Sequence, residues 1–374
     1  MQIQTWHKLA LALAGAATLA ACSTANLPQA SSNTLTAQSQ GSEPESSFLV
    51  MALPDTQYYS AFWPQHFMNQ TTWLAQHAGR LNVKLTTHLG DIVDSPVMFY
   101  QWDRADRAMN VLEQAGVPYS VLAGNHDIIL SAADDTRRVK GGEEYLKRFT
   151  PARAAKNSTF GGRDATGWNE YHTFTAAGQE FVVLALNWRV SAQTIEWAKG
   201  VMRAHPTAPV ILTTHDLVGY TGGQLGLSKN GEYLWKNLIE GSDQIFLTLN
   251  GHDYNDQFRG AHVSRVNAAG HRVDMALIDY QNGYQGGQGY LRALEFDLAR
   301  NRIEMMTFSP SIAAGTGLEP NRLNSPELLD SHSHYFLDIN FAERFAQFAP
   351  DFPRPAQPRP ASLTDEVRAT LGLN

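Results

Sequence analysis

Five short apolar runs in this chain each end in residues that bind metal ions or phosphate, and that repetition constrains the fold more than any other feature. Residues 48–53 lead into Asp55-Thr56-Gln57, and residues 83–89 into Gly90-Asp91-Ile92-Val93-Asp94. Residues 117–123 lead into Gly124-Asn125-His126-Asp127, residues 210–214 into His215, and residues 245–250 into Gly251-His252. Such runs, bounded by turn residues, read as buried strands. In open α/β sheets ligands bind beyond the carboxyl ends of the strands, so the five loops are expected around one crevice.

The intervening segments fit that scheme. Pro64 suits the first turn of a helix carrying Phe67, Thr71, Leu74 and Ala78 at helical spacing. Trp102, Ala105, Met109 and Leu112 mark one side of a helix over 99–115, with Gly116 as its stop signal. Two strand-helix-strand units in succession predict parallel strands and right-handed crossovers. Residues 128–168, with their charged pairs and glycines, read as an insertion holding one short helix near 143–149. Beyond it come a hairpin around Ala177-Gly178, a helix over 191–204 with Ser191 as N-cap, and a helix over 232–239. The strand-like runs 273–280, 290–297 and 302–309 suit a second sheet. The domain is expected over 48–310, followed by a C-terminal extension, 311–374, with a short helix near 365–371.

In that order, Asp-x-x, Gly-Asp-x-x-Asp, Gly-Asn-His-Asp, a lone His after a strand and Gly-His resemble the calcineurin-like metallophosphoesterases. The resemblance implies an α/β fold, a four-layer αββα sandwich of two mixed β-sheets flanked by helices. It implies one metal position formed by Asp91, Asn125, His215 and His252, with Asp91 shared to a second ion. That set suits phosphoester chemistry, because a carboxylate can bridge two ions, and paired ions offset the charge of the ester and make hydroxide at neutral pH. Mixed nitrogen and oxygen ligands favour Mn, Zn or Fe over Ca. The resemblance also implies that Asp94 holds the imidazole of His126, which protonates the leaving oxygen.

At the second position the chain departs from the family pattern. Gln57 stands where the first motif usually has His, and Tyr254 where the last motif usually has its second His. Both are weaker ligands than imidazole near neutral pH. A weaker, exchangeable or harder ion is therefore expected there, held by Asp55 and Asp91 with an amide oxygen from Gln57; the competing expectation is a single-metal site. Ordinary structural roles compete for other residues. Tyr58, Tyr59, Phe62 and Trp63 read first as packing at the start of a helix and second as a pocket lining, and Tyr280-Gln281-Asn282 reads as a turn. Arg137, Arg138 and Lys140 read first as a solvated loop and second as a phosphate contact, and the remaining histidines as surface or packing residues.

A net charge of −7 without a basic stripe argues against a nucleic-acid scaffold and leaves a small phosphorylated substrate as the expected partner. Lys8 precedes an apolar run over 9–21 that ends in Leu19-Ala20-Ala21-Cys22, which resembles the lipobox of bacterial lipoproteins. Residues 1–21 are thus expected to be a signal peptide, Cys22, the sole cysteine, the lipidated residue, and residues 22–47 a flexible tether. Ser23 after the cysteine favours the outer membrane of a Gram-negative-type cell envelope. The expected activity is metal-dependent hydrolysis of phosphomonoesters or phosphodiesters by metal-bound hydroxide, with the Asp94–His126 pair assisting the leaving group. The alternative is a non-catalytic metal- or ligand-binding surface lipoprotein on the same fold.

Overall fold

The computed structural model describes residues 45–138, 142–254, 260–320, 322, 324–355 and 357–373. The signal peptide, Cys22 and nearly all of the tether lie outside the described residues, as does Lys140. The first half of the chain runs β1 (Ser47–Leu53), α1 (Gln57–Ala61), α2 (Pro64–His77), β2 (Val83–His88), α3 (Phe99–Gln114) and β3 (Tyr119–Val121). It continues through α4 (Glu144–Arg148), α5 (Pro151–Ala154), β4 (Phe160–Arg163), β5 (Glu170–Ala176), β6 (Gln179–Leu186), α6 (Ala192–Ala204) and β7 (Val210–Thr214). Next come a hairpin of β8 (Val218–Thr221) and β9 (Gln224–Leu227), then α7 (Lys229–Leu234), extended by a π-helical turn Trp235–Ile239, and β10 (Ile245–Asn250). The last part holds β11 (Ala261–Val266), β12 (Arg272–Leu277), β13 (Leu291–Asp297), β14 (Arg302–Phe308), α8 (Pro310–Ala313), β15 (Glu327–Leu328), β16 (His334–Asp338), α9 (Phe341–Arg344) and α10 (Leu363–Thr370).

Two seven-stranded sheets result, one ordered β15-β14-β13-β1-β2-β3 with β16 also on β14, the other β11-β12-β10-β7-β6-β5-β4. Strands β1, β2 and β3 are parallel, as are β6, β7, β10 and β12. Alternation along β1 explains the layering. Phe48, Val50 and Ala52 join Phe181, Val183, Ile211 and Leu247 in the core between the sheets. Leu49, Met51 and Leu53 face outward onto Phe67 and Leu74 of α2 and Met109 and Leu112 of α3. On the opposite outer surface Val182, Leu184 and Leu212 pack against Ile195, Ala198 and Val201 of α6 and Leu238 of the π turn. A strand covered on both faces needs apolar residues at every position, which is why these runs are unbroken in the sequence. The fold is the expected four-layer αββα sandwich.

Three local expectations require correction. The late strands do not build a sheet of their own: β13 runs antiparallel to β1, with Ser47 opposite Asp297, while β12 lies parallel to β10 in the other sheet. Leu294 and Phe296 of β13 pack between the sheets and Leu291 and Ala293 outside, so β13 matches the layer pattern of β1. Within the stretch read as an insertion, Phe160–Arg163 forms β4 and closes the sheet edge on β5. Arg138 is neither solvated nor a phosphate contact. It is buried, donates to the Asn187 side chain and the Ala133 carbonyl, and lies over the Trp168 ring. The stretch after residue 310 adds β16 to the first sheet and Phe341, Phe345 and Phe352 to the core between the sheets.

Candidate metal centre

The ligand-type residues singled out in the sequence sit just beyond parallel strands, and the two sheets bring the loops that carry them together. Asp55 follows β1, Asp91 follows β2, Asn125 and His126 follow β3, His215 follows β7 and His252 follows β10. Ligand atoms of Asp91, His215 and His252 all lie within 4.8 Å of one another. His215 Nε2 is 3.2 Å from Asp91 Oδ2 and 3.1 Å from Asn125 Oδ1. At the other ring nitrogen, Nδ1 is 2.8 Å from the Leu89 carbonyl, which can only accept, so Nδ1 carries a proton and Nε2 turns toward the crevice.

That arrangement gathers a ring nitrogen, a carboxylate oxygen and an amide oxygen at contact distance in a buried place. Either a proton on His215 Nε2 or a shared cation reconciles these three atoms at such spacing. Ligands about 2.1 Å from one ion stand roughly 3 Å apart at right angles, so the spacing fits a shared divalent ion. Backbone geometry supports the same reading. Asp91 and His252 hold φ values of 48° and 74°, in the left-handed region that costs a side-chain-bearing residue roughly 1–3 kcal/mol. Glycines precede the ligands because there is no room for more: a Cβ on Gly124 would collide with the Asp91 carboxylate, and one on Gly251 with that of Asp55.

Charge is concentrated and poorly compensated. Burial opposes charge on both members of the Asp91–His215 pair, yet their attraction prevails, holding Asp91 below the usual carboxylate range and lifting His215 to about 10. In the absence of metal, the His215 proton does part of the ion's work. Burial, followed by repulsion from Asp279 and Asp91, pushes Asp55 well up. Burial likewise lifts Asp127 to about 7, although the backbone N–H groups of Gly124, Ile92 and Val93 all donate to its carboxylate. Asp127 thus ties the β2 and β3 loops together. Burial and the charge of His215 depress His252 to about 4, leaving it neutral and able to ligate.

His126 lies at the mouth of the crevice, its backbone N–H donating to Asp91 Oδ1 at 2.8 Å. Its Nδ1 is 2.7 Å from the main-chain carbonyl of Asp94 and 3.7 Å from that residue's carboxylate. The nearer contact of the ring is thus with the backbone of Asp94, not with its side chain. Gln57 is buried, donates through Nε2 to Gln281 Oε1, and keeps an Oε1 with no hydrogen-bond partner among the described residues. Tyr254 is 38% exposed. The aromatic cluster after the first motif divides: Tyr59 is core, whereas Tyr58 is partly exposed and has its phenol pKa raised by partial burial and then by Asp94.

Two residues near the site escaped sequence reasoning. Trp188, beyond β6, sets its ring 4.5 Å from that of His252 and 5.6 Å from that of His215, and donates from Nε1 to the Ser131 carbonyl. Its position after an apolar run was the available signal. Asp279, beyond β12, is fully buried. It was hidden inside a run read as strand, next to a sequence that looks like a plain turn.

A two-sheet α/β sandwich whose parallel strands deliver carboxylates, an amide and imidazoles to one buried crevice defines a protein that binds divalent metal. The calcineurin-like phosphoesterase family model matches residues 48–277, and the chain belongs to that family, whose general chemistry is metal-dependent phosphoester hydrolysis. A protein of Bacillus subtilis (strain 168) described as uncharacterized protein YvnB is 34% identical over 263 residues, covering 70% of this chain. The match spans only 20% of that relative's length. Among solved structures, a dimetal phosphatase from Danio rerio is similar with a TM-score of 0.47 at 15% identity, over 70% of this chain and 96% of that one. A purple acid phosphatase from yellow lupin seeds gives 0.49 at 11% identity, over 81% and 55%.

Proposed function

We propose that the chain hydrolyses small phosphate esters, mono- or diesters, at this centre. The observation that carries the reading is the approach of Asp91 Oδ2 at 3.2 Å and Asn125 Oδ1 at 3.1 Å to His215 Nε2 in a buried, carboxylate-rich crevice. Asp91, Asn125, His215 and His252 would hold one ion, with Asp91 reaching toward a second position that includes Asp55 and Gln57. When bound, such ions supply charge neutralisation for the ester and a water-derived nucleophile at neutral pH. The Asp94 carbonyl takes the Nδ1–H of His126, so Nε2 is the nitrogen that exchanges a proton with the leaving oxygen. Tyr58, partly exposed in the helix that begins at Gln57, can border the ester's organic group.

Ser95 follows Gly-Asp-x-x-Asp where phosphoprotein phosphatases have Arg, which favours small substrates over phosphoproteins. The apolar run and Leu19-Ala20-Ala21-Cys22 support anchoring at the outer membrane through a lipid on Cys22. Among the described residues no helix is long and apolar enough to cross a membrane. Turnover of mono- and bis-nitrophenyl phosphate with Mn, Zn, Fe and Mg, comparing wild type with Asp91→Ala and His126→Ala, tests the activity. The replacements Gln57 and Tyr254 favour the non-catalytic binder; metal-dependent turnover that both variants abolish or cripple would exclude it. Mass spectrometry of the mature amino terminus tests the anchor.

A further inference from the structure

Asp279 and its surroundings carry one inference that rests on the metal-centre reading and deepens it. Strand β12 runs parallel to β10, so its carboxyl end opens on the same side as those bearing His215 and His252. Asp279 follows it by two residues and lies two residues past the stretch that matches the family model. Its carboxylate is fully buried. Oδ1 accepts the N–H of Gln281 at 2.8 Å, while Oδ2 has no hydrogen-bond partner among the described residues.

Two further orphaned oxygens lie in the same region, Asp55 Oδ1 and Gln57 Oε1. The loop bearing Asp279 is clamped to the helix bearing Gln57. Gln57 Nε2 donates to Gln281 Oε1, and the N–H of Gly289 donates to the Tyr59 hydroxyl at 2.9 Å. Three buried side chains, two of them carboxylates, each present an oxygen without a hydrogen-bond partner among the described residues, an arrangement that costs several kcal/mol unless a cation is shared.

We propose that Asp279 is a metal ligand that completes the second position with Asp55, Gln57 and the shared Asp91, replacing the imidazoles absent at Gln57 and Tyr254. The outcome is an all-oxygen position beside a mixed nitrogen and oxygen one. All-oxygen sets select harder ions, Mg or Mn, whereas the His215–His252 position takes Zn or Fe as readily. The departure from the family pattern is then an exchange of ligands and of preferred metal rather than the loss of a site.

Calorimetric titration of the chelator-stripped full chain with Mn²⁺, with elemental counting, tests this on wild type, Asp279→Asn and His215→Ala. Wild type is expected to take two equivalents. Asp279→Asn should weaken one of them beyond the roughly 10- to 100-fold typical of losing an outer-shell partner, and His215→Ala should weaken the other. Thermal melts of the metal-free proteins give a separate readout. Asparagine keeps the acceptor for the Gln281 N–H and removes a buried like charge, so metal-free Asp279→Asn should melt above wild type yet gain less from Mn²⁺. Unchanged affinity for both equivalents in Asp279→Asn, or a metal-free variant that melts below wild type and keeps its full gain from Mn²⁺, would overturn the role of Asp279 alone. A wild-type chain that takes up no Mn²⁺, Zn²⁺ or Fe²⁺ would overturn the metal-centre reading with it.

Discussion

His126 and Asp94 show how much rests on which atom makes a bond. The Gly-Asp-x-x-Asp spacing pointed to a carboxylate holding the imidazole, but the nearer partner is the Asp94 carbonyl, which any residue at that position would supply. His126→Ala is therefore expected to lower kcat by about 10²- to 10⁴-fold, most for esters with poor leaving groups. Asp94→Asn should stay within about tenfold of wild type, because the backbone bond persists. Steady-state kinetics on a leaving-group series would check both; equal losses would mean that the carboxylate itself is needed. The four residues of the first metal position were legible because each ends a conspicuous apolar run. Asp279 was not, since a carboxylate after a strand looks the same whether it binds an ion or caps a turn. Only its burial and its orphaned oxygen tell the two apart.

At the scale of elements, Glu170 of β5 joins the two sheets. Its Oε1 accepts the backbone N–H of Val121 in β3 and contacts His172, and Oε2 takes the Arg163 guanidinium from β4. Burial would raise its pKa, yet Arg163 and the hydrogen-bonded His172 hold it at about 2. A depressed folded pKa means stability that is fully present above the unfolded value of 4.5 and lost as the pH falls toward 2. Glu170→Ala, which leaves the buried Arg163 unpaired, is expected to cost about 3–5 kcal/mol by urea denaturation at neutral pH. The melting temperature of Glu170→Gln should also fall less steeply than that of wild type from about pH 6 to pH 3. Helix α6 shows how legible a local signal can be: the Ser191 side chain accepts the N–H of Thr194 as an N-cap. Strand β4 shows the reverse, because Phe160-Gly161-Gly162-Arg163 has weak strand propensity and pairs only because β5 presents an edge.

For the molecule as a whole, the C-terminal stretch is part of the sandwich. Phe345 is fully buried among Phe246, Phe341 and Phe352, and Phe345→Ala should destabilise the protein by about 3–5 kcal/mol in denaturant titrations. A chain terminated after Pro310 would expose the edge of β14 covered by β16 and open the core between the sheets. It is expected to be insoluble, and a soluble, cooperatively melting product would contradict that view. Metal should act on the whole fold as well. At about 100-fold excess over Kd, one bound ion adds roughly 2.7 kcal/mol. A chelator should therefore lower the melting temperature of wild type measurably, and that of His215→Ala less.

From the order of residues came the strands and the parallel sense of the first three, while the likeness of the five motifs to the calcineurin-like metallophosphoesterases implied the four-layer sandwich and the six ligand candidates from Asp55 to His252. Period-2 and period-3.6 apolar patterns and turn chemistry are local properties that neighbouring residues largely decide. Which sheet β12 and β13 join, the structural part played by β4, Arg138 and the tail, the carbonyl that steadies His126, and the buried oxygen of Asp279 all came from tertiary structure. Each depends on how distant segments meet, and exclusion from water, which turns an ordinary aspartate into a demand for a cation, exists only once the chain has closed around it.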